Sequence, residues 1–282
     1  MSALNPAYVK SIVRSALAED VGTGDITTML TIPEQSESTG VVIAKQDGVI
    51  AGLQLAAATL HAVDEQIVVE EVVRDGARVS SGDTIATVSG RTRGILTAER
   101  VALNFLQRMS GIATMTSRFV ELVSHTKARI ADTRKTAPGL RLLEKYAVTV
   151  GGGVNHRLGL YDGILIKDNH ISAAGGIGAA VRAAKKGAPH TLRVEIEVSS
   201  LNQLDQALQA GADAVLLDNM PPDLIKQAAE LAAGTVITEA SGGVTEDNVR
   251  QIAETGVDLI SVGALTHSAP ALDISLQITT DS

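Results

Sequence analysis

The sequence predicts an α/β fold, in which an N-terminal α+β open-sandwich domain precedes an incomplete α/β barrel of six or seven strands. After about Gly111, strand-like and helix-like segments alternate, which indicates a parallel sheet with right-handed crossovers. Segments such as DGILI, AVLLD and DLISVG are almost continuously apolar, as is typical of strands buried on both faces. A full eight-stranded barrel takes about 250 residues, so we expect fewer strands here.

Residues 1–110 form the predicted N-terminal domain, which the C-terminal tail 270–282 joins, and residues 111–269 form the barrel. Asn5 and Pro6 are suited to begin a helix, and a loop rich in Gly, Thr and Asp is expected at Glu19–Thr28. Short β-rich segments separated by glycines follow between Gly40 and Gly90. A long helix is then predicted at Thr97–Met115.

The barrel segment is divided into strands and helices by its apolar periodicity. The predicted strands are Ala128–Asp132, Gly163–Ile166, Leu192–Val198, Ala214–Leu217, Thr235–Glu239 and Leu259–Val262. The predicted helices are Leu140–Val148, Gly176–Lys186, Leu201–Ala210, Pro221–Ala232 and Thr245–Glu254.

Composition excludes several classes of protein. The net charge of −8 argues against a nucleic-acid or membrane surface, which would favour a basic face. Cysteine is absent, so disulfides, thiolate nucleophiles and cysteine metal sites are excluded. No apolar run is long enough to span a bilayer, and the N-terminus carries Lys10, Arg14 and Glu19 instead of a signal peptide's apolar core. We therefore expect a soluble cytoplasmic protein.

Polar groups stand at the carboxyl ends of successive predicted strands, where barrel enzymes hold their active sites. Each has a simpler explanation when taken alone: Asp218 could cap a helix, and Lys167 could be a surface lysine. Their recurrence in consecutive strand–helix units favours a site. The residues in question are Asp132, Thr133, Arg134, Lys135, Lys167, Asp168, Glu195, Glu197, Asp218, Ser241, Gly242, Gly243, Gly263 and Ala264.

The predicted site has three chemically different parts. Glycine turns at Ser241–Gly243 and Val262–Ala264 end the last two strands, where barrels commonly bind a phosphate on backbone N–H groups. Glu197 and Asp218 could hold ribose hydroxyls, or Mg²⁺ through water; whether Glu195 or Glu197 faces the ligand stays open. The cations that complete the site, and that indicate a second anion, are Arg134, Lys135, His156, Arg157 and Lys167.

Long strings distributed along nearly the whole chain then identify a family. DTRKTAPGLR, VGGGVNHRLGLYDGILIKDNH, VEIEV, EASGGV and ISVGALTHS, together with EDVGTGDITT and TAERVALNFLQRMSGIAT, resemble quinolinate phosphoribosyltransferases. The resemblance implies that quinolinate and phosphoribosyl pyrophosphate, with Mg²⁺, give nicotinate mononucleotide, pyrophosphate and CO₂. It also implies a homodimer or a hexamer built as a trimer of dimers.

The resemblance also implies a role for each site residue. Arg134, His156 and Arg157 would bind the quinolinate carboxylates, and Arg100 would reach this site from the partner subunit. Lys135 and Lys167 would serve the phosphates and, with Glu197 and Asp218, form the catalytic set. Glu197 and Asp218 would bind the ribose hydroxyls or the metal, directly or through water. The remaining substrate-binding positions are Thr133, Ser241, Gly242, Gly243, Val262, Gly263 and Ala264.

Three alternatives remain at this point. A related phosphoribosyltransferase could act on nicotinate or another heteroaromatic acid. A barrel aldolase could use Lys167 as its Schiff-base amine. The segment VVRDGARVSSGDTIATVSG is similar to biotinyl and lipoyl carrier domains and could indicate a carrier or binding module, but neither Asp75-Gly76 nor Ser81-Gly82 offers the lysine that a carrier attaches to its cofactor.

Overall fold

The computed structural model describes residues 4–232 and 234–279. These form two compact units. The N-terminal unit comprises the described residues of Met1–Met115, Leu142–Gly151 and Ala269–Ser282, and the barrel unit comprises those of Thr116–Arg141 and Gly152–Ser268.

The first half of the chain contains α1 (Pro6–Asp20), α2 (Ile26–Thr31), β1 (Glu37–Ala44), β2 (Gly48–Val49), α3 (Leu53–Val63), β3 (Val68–Glu71), β4 (Arg78–Val79), β5 (Thr84–Arg91), α4 (Thr92–Val123), β6 (Arg129–Ala131) and α5 (Arg141–Val150). The second half contains β7 (Ile164–Ile166), α6 (Asp168–Ala174), α7 (Ile177–Gly187), β8 (Val194–Val198), α8 (Leu201–Gln209), β9 (Ala214–Asp218), α9 (Pro222–Ala232), β10 (Ile237–Ser241), α10 (Val249–Ala253), β11 (Leu259–Ser261), α11 (Ala264–His267) and β12 (Ile274–Thr279).

The N-terminal unit is built on a four-stranded antiparallel sheet in the order β12-β1-β5-β3. Every second residue of β1 is buried, so one face of the sheet packs inward. Its partners in the apolar core come from α3 and α4, including Leu53, Leu60, Ile95 and Leu106. A sheet with helices packed on one face is the predicted α+β open sandwich.

Helix α5 marks a difference from the predicted domain boundary. The sequence placed this helix in the barrel segment, but Leu142–Gly151 groups with the N-terminal unit. Buried Glu144 accepts a hydrogen bond from Arg108 at 2.7 Å, and the Tyr146 hydroxyl donates to Asp75 at 2.8 Å. Asp75 also accepts the N–H groups of Gly52 and Leu53, at the start of α3. These polar contacts depend on partners far away in sequence, which apolar periodicity does not reveal.

Short helices also lie outside the sequence prediction, among them α2 and α6. The chain turns helical at α2, at the end of the predicted loop, because the Asp25 side chain accepts the Thr28 N–H and caps it. Helix α6 begins directly after Lys167, whose backbone N–H donates to the His170 ring. Both helices are too short to show a clear apolar period.

The barrel unit contains a parallel sheet of six strands in the order β6-β11-β10-β9-β8-β7. Beyond β6, Val154 pairs with Ala131 as a single bridge. In the described chain no backbone pairing joins Val154 to β7, so the barrel is incomplete, as predicted. Its strands are apolar and buried, which confirms the six strand predictions to within a few residues at their ends. No helix among the described residues has the length and apolarity needed to cross a membrane.

Candidate active site

A cavity of about 620 Å³ opens at the carboxyl ends of the barrel strands. Most of the predicted site residues line it, although they come from separate segments of the chain. They are Thr133, Arg134, Lys135, His156, Arg157, Lys167, Glu197, Asp218, Ser241, Gly242, Gly243, Gly263 and Ala264. Two of the residues predicted to bind substrate lie elsewhere, as do the strand-end acids Asp132, Asp168 and Glu195. Val262 is buried and its N–H donates to the Ala131 carbonyl at 2.9 Å, and Arg100 is exposed on α4 in the N-terminal unit.

Two arginines form the cationic end of this cavity. Arg157 donates from Nη1 to the Gly163 carbonyl at 3.0 Å. The Nε atoms of Arg134 and Arg157 are both buried, and neither has a hydrogen-bond partner among the described residues. Burial, and then the positive charge of Arg134, lower the pKa of Arg157. Two neighbouring cations with unused donors are unfavourable alone, so this arrangement indicates a site for an anion with several acceptors.

His156 lines the same cavity next to Arg157, and its hydrogen bonds fix its tautomer. Its Nδ1 lies 2.8 Å from the Arg157 backbone nitrogen and accepts that N–H, so Nδ1 carries no proton in the neutral ring. Its Nε2 lies 2.9 Å from Glu195 Oε2 and donates to it. The His156 N–H donates at 2.9 Å to Asp132, which is fully buried. His156 therefore connects the backbone beside Arg157 to acids inside the barrel.

The acids of the sheet divide into two sets. Glu197 Oε2 pairs with Lys167 Nζ at 3.2 Å and lines the cavity, as does Asp218, which accepts a hydrogen bond from the Asn219 amide. Glu195 points instead to His156 and lines a smaller cavity of about 200 Å³ at the other ends of the strands. Strand β8 thus presents Glu197, rather than Glu195, to the larger cavity.

The end of the cavity at Ser241–Gly243, here called the glycine end, is shaped by its backbone geometry. Gly242 has φ of 99°, and a Cβ at this position would lie 2.2 Å from Asn219 Oδ1. Asn219 itself has a left-handed φ of 52°, and its N–H donates to the Ser241 carbonyl at 2.8 Å. Only glycine fits beside this asparagine without strain. The turns after β9 and β10 are therefore interlocked, with their backbone close to the cavity.

Sequence reasoning missed several residues that line the cavity. These are Leu165, Leu216, Asn219, Glu239, Val244, Thr245, Ser261 and His267. A signal existed for Glu239, because an acid in the apolar segment TVITEA would be buried on a strand of this sheet. Asn219 could not be found in this way, because its left-handed backbone depends on the neighbouring strand.

His156, Glu195 and Glu239 place ligand atoms within 4.8 Å of one another, the spacing of a metal site. The histidine tautomer argues against a metal there. A histidine that binds metal through Nε2 keeps its proton on Nδ1, but Nδ1 here accepts the Arg157 N–H. Glu197 and Asp218 are more suitable, since both line the large cavity and both offer the carboxylate oxygens that Mg²⁺ prefers.

The comparisons with known proteins agree along the whole chain. The family model for the quinolinate phosphoribosyl transferase N-terminal domain matches residues 25–110, and that for the C-terminal domain matches residues 112–277. The chain is 49% identical to the nicotinate-nucleotide pyrophosphorylase [carboxylating] of Mycobacterium leprae, covering 95% of this chain and 96% of that protein. It is 44% identical to a probable enzyme of the same name from Bacillus subtilis, covering 98% and 95% respectively.

A solved nicotinate-nucleotide pyrophosphorylase from Francisella tularensis superposes with a TM-score of 0.95 at 44% identity, covering 98% of both chains. This agreement confirms the α/β fold class predicted from the sequence. The chain belongs to the quinolinate phosphoribosyltransferase family.

Proposed function

We propose that this cavity joins quinolinate to the phosphoribosyl group of phosphoribosyl pyrophosphate, and that Arg134 and Arg157 hold the quinolinate carboxylates. The products are nicotinate mononucleotide, pyrophosphate and CO₂, in NAD biosynthesis. The two guanidinium groups with buried and unused Nε donors are the observation on which the binding assignment depends. A planar dicarboxylate would supply hydrogen-bond acceptors to both guanidinium groups and would neutralise the repulsion between them.

The carboxylates on β8 and β9 are suited to the ribose. When the ring nitrogen displaces pyrophosphate, positive charge develops at the anomeric carbon. Glu197 and Asp218 can accept hydrogen bonds from the ribose hydroxyls and stabilise that charge. Lys167 pairs with Glu197 at 3.2 Å, so it is placed to bind an anion while orienting this carboxylate. We therefore assign Lys135, Lys167, Glu197 and Asp218 as the catalytic set.

The glycine turns are suited to the 5′-phosphate. Gly242 and Gly243 both adopt left-handed conformations, and the Asn248 side chain fixes the turn by donating to the Gly243 carbonyl at 2.9 Å. Exposed backbone N–H groups in such turns bind phosphate oxygens well. Thr133, Ser241, Gly263 and Ala264 line the same cavity and complete this side. For Val262 we propose an indirect role, through the backbone that precedes Gly263.

Mg²⁺ fits this site as a partner of the pyrophosphate substrate. Glu197 and Asp218 would hold it, directly or through water. A bound magnesium ion would supply positive charge to the departing pyrophosphate. The protein's own contribution is to orient the substrates, to hold the carboxylates beneath the ribose and to keep the dicarboxylate in plane.

We further propose that the working enzyme is a homodimer or a hexamer and that Arg100 completes the partner's site. Arg100 is exposed on α4, and α2 exposes Ile26 (70%), Met29 (60%) and Leu30 (81%). Apolar side chains this exposed are typical of an interface. Arg100→Ala and Arg157→Ala chains should each be inactive alone. When they are refolded together, half of the dimers contain one chain of each kind and one intact site, so the mixture should recover up to about a quarter of wild-type activity. Failure to recover activity would contradict a shared site.

We also propose a cytoplasmic location for the protein. The curated bacterial relatives from Bacillus subtilis and Mycobacterium leprae have names that specify no organelle, which supports this. Cell fractionation followed by immunodetection would test it.

The substrate assignment is tested by comparing quinolinate with nicotinate in the presence of phosphoribosyl pyrophosphate and Mg²⁺. We expect CO₂ and nicotinate mononucleotide from quinolinate, and no mononucleotide from nicotinate. Comparable turnover of nicotinate would favour the related phosphoribosyltransferase. Borohydride should trap no adduct on Lys167, because this ammonium group is paired with Glu197, whereas a Schiff-base lysine reacts as a free amine.

A further inference from the structure

Glu239 is a buried acid to which the family-based assignment gives no role. It lies on β10, is 1% exposed and contributes to the walls of both the large cavity and the smaller one at the other strand ends. Its Oε1 has no hydrogen-bond partner among the described residues, and its Oε2 lies 3.8 Å from His156 Nε2. A buried carboxyl with an unused oxygen requires an explanation.

The groups facing Glu239 favour its protonated form. Glu195 on β8 and Asp132 after β6 are acidic, and His156 is the only basic side chain among the groups of the described chain that act on its charge. His156 already donates its Nε2 proton to Glu195, at 2.9 Å, and is too far from Glu239 for a hydrogen bond. Burial, and then the charge of Glu195, raise the pKa of Glu239 to about 7, although the charge of His156 and the nearby Ser261 hydroxyl lower it in part. Glu239 can therefore hold a proton near neutral pH.

Glu239 lines the cavity in which the proposed reaction would consume a proton. Ser261, on the adjacent strand, places its buried hydroxyl near Glu239, so the two residues form a polar floor to the cavity. Arg134 and Arg157 line the same cavity, so a dicarboxylate held between them would share that cavity with this floor. The carbon that loses CO₂ must receive a proton before the product leaves.

We propose that Glu239 is a further catalytic residue, which donates its carboxyl proton to the ring carbon that loses CO₂. The inference depends on the proposed binding of quinolinate between the two arginines. The bond from this carbon to its carboxylate breaks, and the electron pair stays on the carbon beside the cationic ring nitrogen. The carbon then takes the proton from Glu239, forming a C–H bond and leaving Glu239 as a carboxylate.

The carboxylate must regain a proton from water before the next turnover. The smaller cavity offers a route that the bound substrate does not occupy, since Glu239, His156 and Glu195 line it on the side away from the carboxyl ends of the strands. The general acid is thus reached from one side by substrate and from the other by solvent.

The test compares Glu239→Gln with Glu230→Gln, which removes an exposed carboxylate from α9. Glutamine keeps the size of the side chain and cannot supply an acidic proton. We expect Glu239→Gln to lower kcat for nicotinate mononucleotide at least tenfold while the Kd for quinolinate changes less than threefold. We expect kcat/KM of the wild type to fall above about pH 7, and the variant to lack this fall. Glu230→Gln should behave as wild type.

A second measurement uses the unmodified protein, in case the variant folds poorly. Calorimetric titration of quinolinate at pH 7.5 in buffers of different ionisation enthalpy should show proton uptake on binding, because the dianion favours protonated Glu239. Absence of uptake, or a variant kcat within twofold of wild type, would overturn the proposal. The proposal would also be overturned if Glu239→Gln lost quinolinate affinity as strongly as kcat and still showed the fall of kcat/KM above about pH 7. Wild-type turnover of quinolinate tests the proposed function separately.

Discussion

The cationic end and the glycine end of the cavity recognise anions by different means. At the cationic end, Arg134 and Arg157 offer side-chain donors, and the polar floor of Glu239 and Ser261 lines the same cavity. At the glycine end, Gly242 and Asn219 place the backbone itself beside the cavity through left-handed conformations. One end depends on side-chain charge, which can be removed without changing the course of the chain. The other depends on the course of the chain, which an added Cβ would change.

This difference predicts how each end fails. Loss of a guanidinium should remove binding and leave stability intact, since these groups repel each other in the unliganded protein. Loss of a glycine should reduce binding and stability together, because an added side chain would strain the turn. Under the proposed function the two substrates also separate the ends, because the arginines would bind quinolinate and the glycine turns would bind the 5′-phosphate.

The largest effect is expected for Arg134→Ala or Arg157→Ala. Each substitution leaves one carboxylate of quinolinate without its guanidinium partner, which should lower kcat/KM for quinolinate about 10³-fold. Steady-state kinetics with each substrate varied would measure this, together with thermal unfolding. The exposed Arg182→Ala on α7 is the matched control and should retain activity. Near-normal activity of either cavity variant would contradict the site assignment.

Lys167→Ala should come next, with turnover reduced at least about 10²-fold. The change removes a cation from the cavity and also releases Glu197, which accepts a hydrogen bond from it at 3.2 Å. Lys185→Ala is the matched control, because it breaks a shorter ion pair with Asp213, at 2.7 Å, on the outside of the same unit. Equal kcat for the two variants in a product assay would show that Lys167 acts as an ordinary surface lysine.

The sequence predicted the barrel because its signals are local. Apolar strands such as AVLLD recur at regular intervals, and in a parallel sheet their carboxyl ends meet at one edge. Arg134, Lys167 and Asp218 stand directly at such ends, so their convergence follows from the strand pattern alone.

The features missed depend on contacts that no local pattern contains. Helix α5 joins the N-terminal unit through Glu144 and Tyr146, whose partners lie 36 and 71 residues away. The sequence also does not show that Glu195 and Glu197 line different cavities. Alternation along β8 puts both on one side of the strand, and the position of His156 decides which cavity Glu195 lines. The site was predictable as a set of charges, but the connections within the set were not.

A smaller effect is expected at the glycine end. Gly242→Ala should raise the KM for phosphoribosyl pyrophosphate about tenfold, because its Cβ would displace Asn219. Gly256→Ala is the control, because its φ of 90° imposes the same backbone strain with no atom within 4 Å of the added Cβ. Both should lose about 1–2 kcal/mol of unfolding free energy. A quinolinate Kd that changes as much as the KM for the pyrophosphate substrate would contradict the separation of the two ends.

The last prediction concerns Glu239 in the polar floor and is measured as the pH dependence of stability. The pKa of Glu239 is raised to about 7 in the folded protein, whereas a glutamate in the unfolded chain titrates near its ordinary value of 4.5. Between these values the unfolded chain releases a proton that the folded chain keeps, so the stability that Glu239 contributes is complete below pH 4.5 and is lost as the pH rises to about 7. The loss is on the order of 3 kcal/mol. Urea unfolding of the unliganded protein at pH 5, 6, 7 and 8 should show this decline in the wild type and a shallower one in Glu239→Gln. An equal slope in both would mean that the floor beneath the arginines holds no proton of its own, and the cationic end would then depend on its side-chain forks alone.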